Sequence, residues 1–263
     1  MPSTGVSGVD LYRYEDQGFC FGSYTFGDTI SYNYRIDQEI KGKKEVEYIL
    51  YLPLYNEVSH LEIGVPPRSS FSFIPRTNAN PIILYGTSIA QGACASRPGM
   101  AWSNIVSRTL NWPLINLGFS GNGKLETEII SLICEQHPSI VILDCMPNMG
   151  AIESGEIIKR INEAVHRISK LPNVSILLVE HAGNSNAKTY QEQENNSTRC
   201  NQAQQEAYSQ LQREGIKNLF YLSKEELNLA VDSWVDYVHS SDYWMMQYAY
   251  TMITKIRDIA RGR

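Results

Sequence analysis

The chain has 263 residues, 43% hydrophobic and 19% charged, so it can bury a full core and fits neither a disordered nor a fibrous composition. With 23 Lys and Arg against 28 Asp and Glu the net charge is −5, and the absence of a dense basic cluster excludes a phosphate-tracking nucleic-acid surface. No run approaches the ~20 apolar residues of a membrane-spanning helix, so no membrane insertion is expected.

The first ten residues lack the charged start and apolar stretch of a signal peptide. Over residues 8–74, short runs rich in Tyr, Phe, Ile and Val predict strands at 19–26, 29–36, 45–54 and 59–63. Turns are expected at Gly27-Asp28, Gly42, Tyr55-Asn56 and Pro66-Pro67. Four or five strands fall short of the about seven of a closed sandwich, so either this β layer leans on the second part of the chain or part of it is missing. Unpaired sheet edges leave a homo-oligomer open.

Beyond Pro75 the pattern alternates. Strands are predicted at 81–85, 113–117, 140–144, 174–179 and 217–222, and helices near 100–110, 125–136, 153–170, 198–213 and 241–259, with 191–197 read as a polar loop. Within 153–170, Ile157, Ile158, Ile161, Ala164, Val165 and Ile168 recur at helical spacing. Trp244, Met245, Tyr248, Met252, Ile256 and Ile259 do the same near the C-terminus. This is an α/β pattern with a parallel sheet covered on both faces, divided as a β segment 1–76 and an α/β domain 77–263. The five cysteines, Cys20, Cys94, Cys134, Cys145 and Cys200, form no C-x-x-C pair, and Cys134 and Cys145 read as core. There is no metal-ligand spacing and no nucleotide loop, so no cofactor is expected.

In such sheets ligands bind beyond the carboxyl ends of the strands. The first predicted strand of the domain runs into Gly86-Thr87-Ser88-Ile89 and the second into Gly118-Phe119-Ser120-Gly121-Asn122. The third ends in Asp144-Cys145-Met146-Pro147-Asn148-Met149, and the loop after the fifth carries Asp236-Tyr237-Val238-His239. Alone, Gly121 could be only a turn residue and Asn148 only a cap. At successive strand ends, a Ser, a Gly-rich turn, an Asn and an Asp/His pair are the parts of an acyl-transfer site: nucleophile, oxyanion donors, base and base-orienter.

The order of these segments resembles the SGNH (GDSL-type) hydrolase superfamily. Ser88 matches the block I nucleophile, Gly121 the block II glycine, Asn148 the block III asparagine, and Asp236 and His239 the Asp-x-x-His of block V. Gly8-Val9-Asp10-Leu11-Tyr12 is similar to the G-x-D-L-Y signature of a β domain preceding one esterase subgroup, and Gly92, Cys94, Ser96, Arg97 and Pro98 resemble that subgroup's block I. Thr87 stands where block I usually has Asp, and Pro147 where a Gly is common, departures that the subgroup tolerates. The resemblance implies a flavodoxin-like three-layer domain preceded by a small β-sandwich-like segment, which looks N-terminally short. It also implies a periplasmic or secreted location if the N-terminus is incomplete and a cytoplasmic one otherwise.

The implied chemistry is ester hydrolysis by a catalytic triad, with Ser88 attacking, His239 as general base and Asp236 fixing its tautomer. The Ser88 and Gly121 N–H groups and the Asn148 amide would form the oxyanion hole. Short acyl groups on carbohydrate are the expected substrate. The alternatives are a lipase or lysophospholipase, for which no long apolar lid is visible, and a catalytically weak carbohydrate-binding protein using Tyr12, Tyr14, Tyr24, Tyr32 and Tyr34. Thr87, Arg97 and His181 are candidate substrate contacts, and Cys94, with Arg97 in the loop after Ser88, is expected to border the pocket. His60, His137 and His166 read as structural. A Gly-x-Ser-x-Gly elbow is absent around Ser88, which separates this chain from α/β-hydrolases.

Overall fold

The computed structural model describes residues 1–16, 18–20, 22–26, 29–34, 45–75 and 80–262. It opens with one helical turn, α1 (Ser3–Val6), and five short strands, β1 (Asp10–Arg13), β2 (Phe19–Cys20), β3 (Gly22–Thr25), β4 (Ser31–Tyr34) and β5 (Tyr48–Tyr51). β1 lies between β2 and β5 in an antiparallel sheet, and β3 pairs with β4. The Asp-Leu-Tyr of the signature is therefore a central strand, with Asp10 and Tyr12 buried and Leu11 and Arg13 half-buried. That alternation is the period-two pattern of a strand with one packed face. The strand expected at 59–63 does not form. Its residues find no ladder partner, and Leu61 and Ile63 stay exposed. The turns expected at Gly27-Asp28 and Gly42, and the boundary at 76/77, lie outside the described residues.

The α/β part comprises β6 (Ile82–Gly86), α2 (Ser88–Gln91), α3 (Trp102–Leu110), β7 (Leu114–Gly118), α4 (Thr127–Glu135) and β8 (Ile140–Asp144). The chain continues through α5 (Ser154–Ile168), β9 (Ser175–Val179), α6 (Gln191–Arg213), β10 (Leu219–Leu222), α7 (Lys224–Leu227) and α8 (Asp242–Arg261). The five strands pair in parallel in the order β10-β9-β8-β6-β7. The three inner strands are buried along their whole length, as a sheet covered on both faces requires. Alternate residues serve opposite layers. Ile83, Tyr85, Val141 and Leu143 face α4, α5 and α6, while Ile82, Leu84, Ile140 and Ile142 face α3 and α8.

The polar segment 191–197 is a correction to the expected loop, because it forms the first two turns of α6. Gln and Glu are good helix formers, and Glu192 and Glu194 lie in the first turn, where carboxylates favour the positive end of the helix dipole. The segment contains no apolar residue, so it lacks the apolar period that reveals a packed helix, although Ser197 is buried and only Gln191, Glu192 and Asn195 are exposed.

Strand order fixes where a ligand can enter. From β6 the chain crosses to β7 on one side and then returns to β8 on the other, so the switch point lies at the carboxyl end of β6. A crevice opens at such a point.

Candidate active site

β6 ends at Gly86, in register with Gly118 of β7 and Asp144 of β8, so three loops leave the sheet side by side. Thr87 then caps α2, its hydroxyl accepting from Ile89 N–H at 3.3 Å, and Ser88 becomes the first helical residue. This short helix lies close against β7. A Cβ on Gly118 would come within 2.2 Å of the Gln91 nitrogen, so only glycine permits the approach. Asn116 fastens the same contact by donating to Ala90 O at 2.7 Å and Ser103 Oγ at 2.9 Å. Ser88 is left 9% exposed, with its Oγ facing His239.

The partner residues sit on a turn that holds itself. Asp236 Oδ1 accepts from the N–H groups of Val238 at 2.8 Å and His239 at 2.7 Å, while Val235 N–H donates to His239 O at 2.9 Å. Asp236 Oδ2 lies 2.8 Å from His239 Nδ1, and His239 Nε2 lies 3.2 Å from Ser88 Oγ. An ionised carboxylate can only accept, so Nδ1 carries the proton and Nε2 is free to accept from the serine hydroxyl. Partial burial works against the Asp236 charge, but the hydrogen bonds from the His239 and Val238 backbones and the His239 ring outweigh it. The carboxyl is held below its usual range.

The second and third loops are tied to the first. Phe119 N–H donates to Gly86 O at 3.0 Å, and Asn148 Nδ2 donates to Asn122 O at 2.5 Å, leaving its second N–H for another acceptor. Gly121 has φ +74° and open space where a Cβ would stand, so its backbone conformation, not crowding, favours glycine. Among the described residues, neither the Ser88 nor the Gly121 N–H has a protein acceptor.

The three expected substrate contacts are engaged internally. Thr87 is fully buried as a helix cap. His181 is buried with its Nδ1 accepting from Gly183 N–H at 2.9 Å, and burial brings its pKa down to about 4, so it is neutral. Arg97 donates to Asp10 Oδ2 at 3.0 Å and Tyr12 Oη at 2.5 Å, and its guanidinium stacks over Phe19. Gly99 N–H donates to the same Asp10 oxygen at 2.6 Å. The signature strand is thus a fastening for the loop after the serine helix, a role the sequence pattern did not disclose. Gln91 was also missed. Its amide donates to Leu54 O at 3.0 Å and accepts from Ser120 N–H at 3.1 Å, bridging the β part and the Gly121 loop.

Cys94 lies beside Asp236 and His239, although no spacing in the sequence pairs it with a base. Partial burial raises its thiol pKa, and it makes no hydrogen bond like that of Ser88. Asp144 is the other unanticipated group, fully buried beneath the loops with Tyr248 Oη donating to it at 2.9 Å.

Residues 79–257 match the GDSL-like lipase/acylhydrolase family, and residues 1–71 match the N-terminus of the SGNH-hydrolase-type esterases. A protein designated a GDSL-like lipase from Bacteroides ovatus is 31% identical over 98% of this chain and 76% of its own, with a TM-score of 0.86. A carbohydrate esterase family 2 enzyme with a carbohydrate-binding domain, from Corynascus thermopiles, is 13% identical over 98% of this chain and 92% of its own, with a TM-score of 0.63. A carbohydrate acetylesterase from Sinorhizobium meliloti is 12% identical over 69% of this chain and 100% of its own, with a TM-score of 0.52. The last two share the fold. No curated protein matches the chain.

Proposed function

Since the chain belongs to the GDSL-like lipase/acylhydrolase family, we propose that it is a serine esterase removing acetyl or other short acyl groups from carbohydrate. The observation that carries this reading is the unbroken relay Ser88 Oγ, His239 Nε2, His239 Nδ1, Asp236 Oδ2, with separations of 3.2 Å and 2.8 Å.

His239 takes the proton as Ser88 Oγ attacks the ester carbonyl, and Asp236 stabilises the imidazolium that forms. The oxyanion accepts from the Ser88 and Gly121 N–H groups and from the free N–H of Asn148. Collapse expels the sugar alcohol, protonated by His239, and leaves an acyl-serine. Water, deprotonated by the same imidazole, then releases the acid and restores the serine.

A sugar acceptor is favoured by the surroundings of the triad turn. A cavity of about 520 Å³ is lined by Asn184, Glu194, Lys224, Glu225, Asn228 and Trp234, among others. Triad residues do not line it, but Trp234 precedes Asp236 by two positions and Ser185 of the neighbouring loop bonds to Asp236 O at 3.1 Å. The amides and charges of this lining, with Ala182, Ala187, Leu229 and Trp234 as its apolar part, suit a hydroxylated ligand better than a long acyl chain. Two fold neighbours, the enzymes from Corynascus thermopiles and Sinorhizobium meliloti, are themselves described as carbohydrate esterases. A panel of aryl acyl esters and acetylated oligosaccharides, run on wild type and Ser88→Ala, tests the reading. Acetate should be preferred over long acyl chains, and deacetylation should vanish in the variant. Preference for long chains would favour a lipase.

A further inference from the structure

The thiol of Cys94, a carboxylate oxygen of Asp236 and a ring nitrogen of His239 all lie within 4.8 Å of one another. The three come from two separate loops, and each is reachable from solvent. The Asp236 and His239 side chains are 43% and 29% exposed, and Cys94 is a free, half-buried thiol. Cys94 also has φ +67°, a left-handed backbone that a residue with a Cβ adopts at a cost and that recurs at functional sites.

A sulfur, an imidazole and a carboxylate form a donor set suited to Zn²⁺, which binds with three protein ligands and an open fourth position where it is not purely structural. Bond lengths of ~2.3 Å to sulfur and ~2.0–2.2 Å to nitrogen and oxygen place tetrahedral donors about 3.4–3.6 Å apart. The observed cluster, within 4.8 Å, is therefore at most about 1.2–1.4 Å from a coordinating arrangement, a distance that rotation of the partly exposed Asp236 and His239 side chains can cover.

The geometry points to a reversible inhibitory site for Zn²⁺ or a similar thiophilic divalent ion, formed by Cys94, Asp236 and His239. The thiol binds as thiolate and releases one proton to solvent. A metal on His239 Nε2 consumes the lone pair that faces Ser88. A metal on Nδ1 displaces that proton to Nε2, which then cannot accept from the serine hydroxyl. Either way the base is lost until the metal leaves. The inhibition rests on the proposed role of His239, whereas the binding does not.

Zn²⁺ is titrated calorimetrically into wild type, Ser88→Ala and Cys94→Ser, all checked for matched melting temperatures, and Cys94→Ala serves as a second variant if the serine one is unstable. Wild type and Ser88→Ala should bind one ion alike. Loss of the thiol should weaken binding by at least the about 10–100-fold that removal of even an outer partner costs. Co²⁺ should give a thiolate charge-transfer band in the first two proteins and none in the cysteine variants. Inhibition of ester turnover, normalised to each protein's own zinc-free rate, should shift by the same factor as binding. Absence of binding in wild type, or equal binding in the cysteine variants, overturns the site. Binding without inhibition overturns the inhibitory role. Binding with the cobalt band in a wild type that turns over no ester upholds the site and rejects the esterase reading.

Discussion

Ser88 and the Asp236–His239 turn are held in opposite ways, and each carries an aspartate suited to its surroundings. The serine side is built by packing: a buried helix pressed on β7 through Gly118, with the next loop fastened to Asp10 and Tyr12. Beneath it Asp144 is fully buried, and its pKa is pushed up to about 7. The His239 side is built by hydrogen bonds within one turn, with Val235 and Tyr237 exposed on either side of Asp236. Its aspartate remains in contact with water and is held below the usual range. The role proposed for Asp236, stabilising an imidazolium, needs a charged carboxylate, which the solvated turn permits and the core does not.

The sharpest test removes one group from each side. Ser88→Ala and His239→Ala should each lower kcat by about 10⁶, and the double variant should be scarcely worse, because groups that act as one unit are not additive. Melting temperatures should stay near wild type. Substantial esterase activity in either variant would end the proposed division of labour.

Asp236→Asn comes next. The Asn Oδ1 still accepts from Val238 and His239, so the turn keeps its shape, but the amide now faces Nδ1 and favours the wrong tautomer. The expected loss in kcat is about 10⁴. Since the wild-type carboxyl is depressed, its stabilising contribution is present above the unfolded value of ~3.9 and lost only as pH falls through the lower folded value. Protonation of Asp236 therefore contributes to no loss of activity between neutral pH and pH ~5. An Asp236→Asn variant with kcat near wild type would remove Asp236 as the group that orients His239.

Asn148→Ala should lower kcat by about 10²–10³ with KM nearly unchanged, as the loss of one oxyanion donor does. Because the amide also bonds Asn122 O, a modest fall in melting temperature should accompany it. A fall in stability with unchanged kcat would assign Asn148 to the loop alone. Asp10→Ala should cost about 1–3 kcal/mol by leaving the Gly99 N–H and the Arg97 guanidinium without their shared acceptor. Its effect on rate should be smaller than that of Asn148→Ala.

These two sides differ in how far the sequence discloses them. The inner strands and the faces of α5 and α8 are legible because burial imposes period and composition. Trp244, Met245, Tyr248, Met252, Ile256 and Ile259 are all buried as their spacing implies. The segment 191–197 misleads because helical turns built only of polar residues have no such period, and 59–63 because extended apolar residues do not announce whether a partner strand exists. For the site, order along strand ends singles out Ser88, Gly121, Asn148, Asp236 and His239, and the fold brings His239 within hydrogen-bond reach of both Ser88 and Asp236. Thr87, Arg97 and His181 show the limit of that rule. Nearness to a strand end does not say whether a side chain turns outward, and each is occupied by a cap, an ion pair or a buried turn. The proximity of Cys94 to His239 depends on two loops meeting across 145 positions of sequence, which no local pattern encodes.

The last test concerns Asp144, where the expected effect is small and its sign is opposite to that of Asp236. Burial raises this carboxyl to about 7, only partly offset by the hydrogen bond from Tyr248. The unfolded group titrates near ~3.9. Between these values the folded chain holds a proton that the unfolded chain has released, so this residue makes stability fall as pH rises from ~4 to about 7, with no further change above. Asp144→Asn keeps an acceptor for Tyr248 and cannot ionise. It also buries an N–H₂ group, which shifts the baseline, so the informative quantity is the slope of melting temperature against pH. The difference in melting temperature, variant minus wild type, should rise steadily from pH 4 to pH 7 and then level off, while kcat stays within a few-fold. A difference that does not change with pH would show that Asp144 is ionised in the fold. A loss of kcat like that of Asp236→Asn would place both aspartates in the chemistry and remove the contrast between the packed and the solvated side.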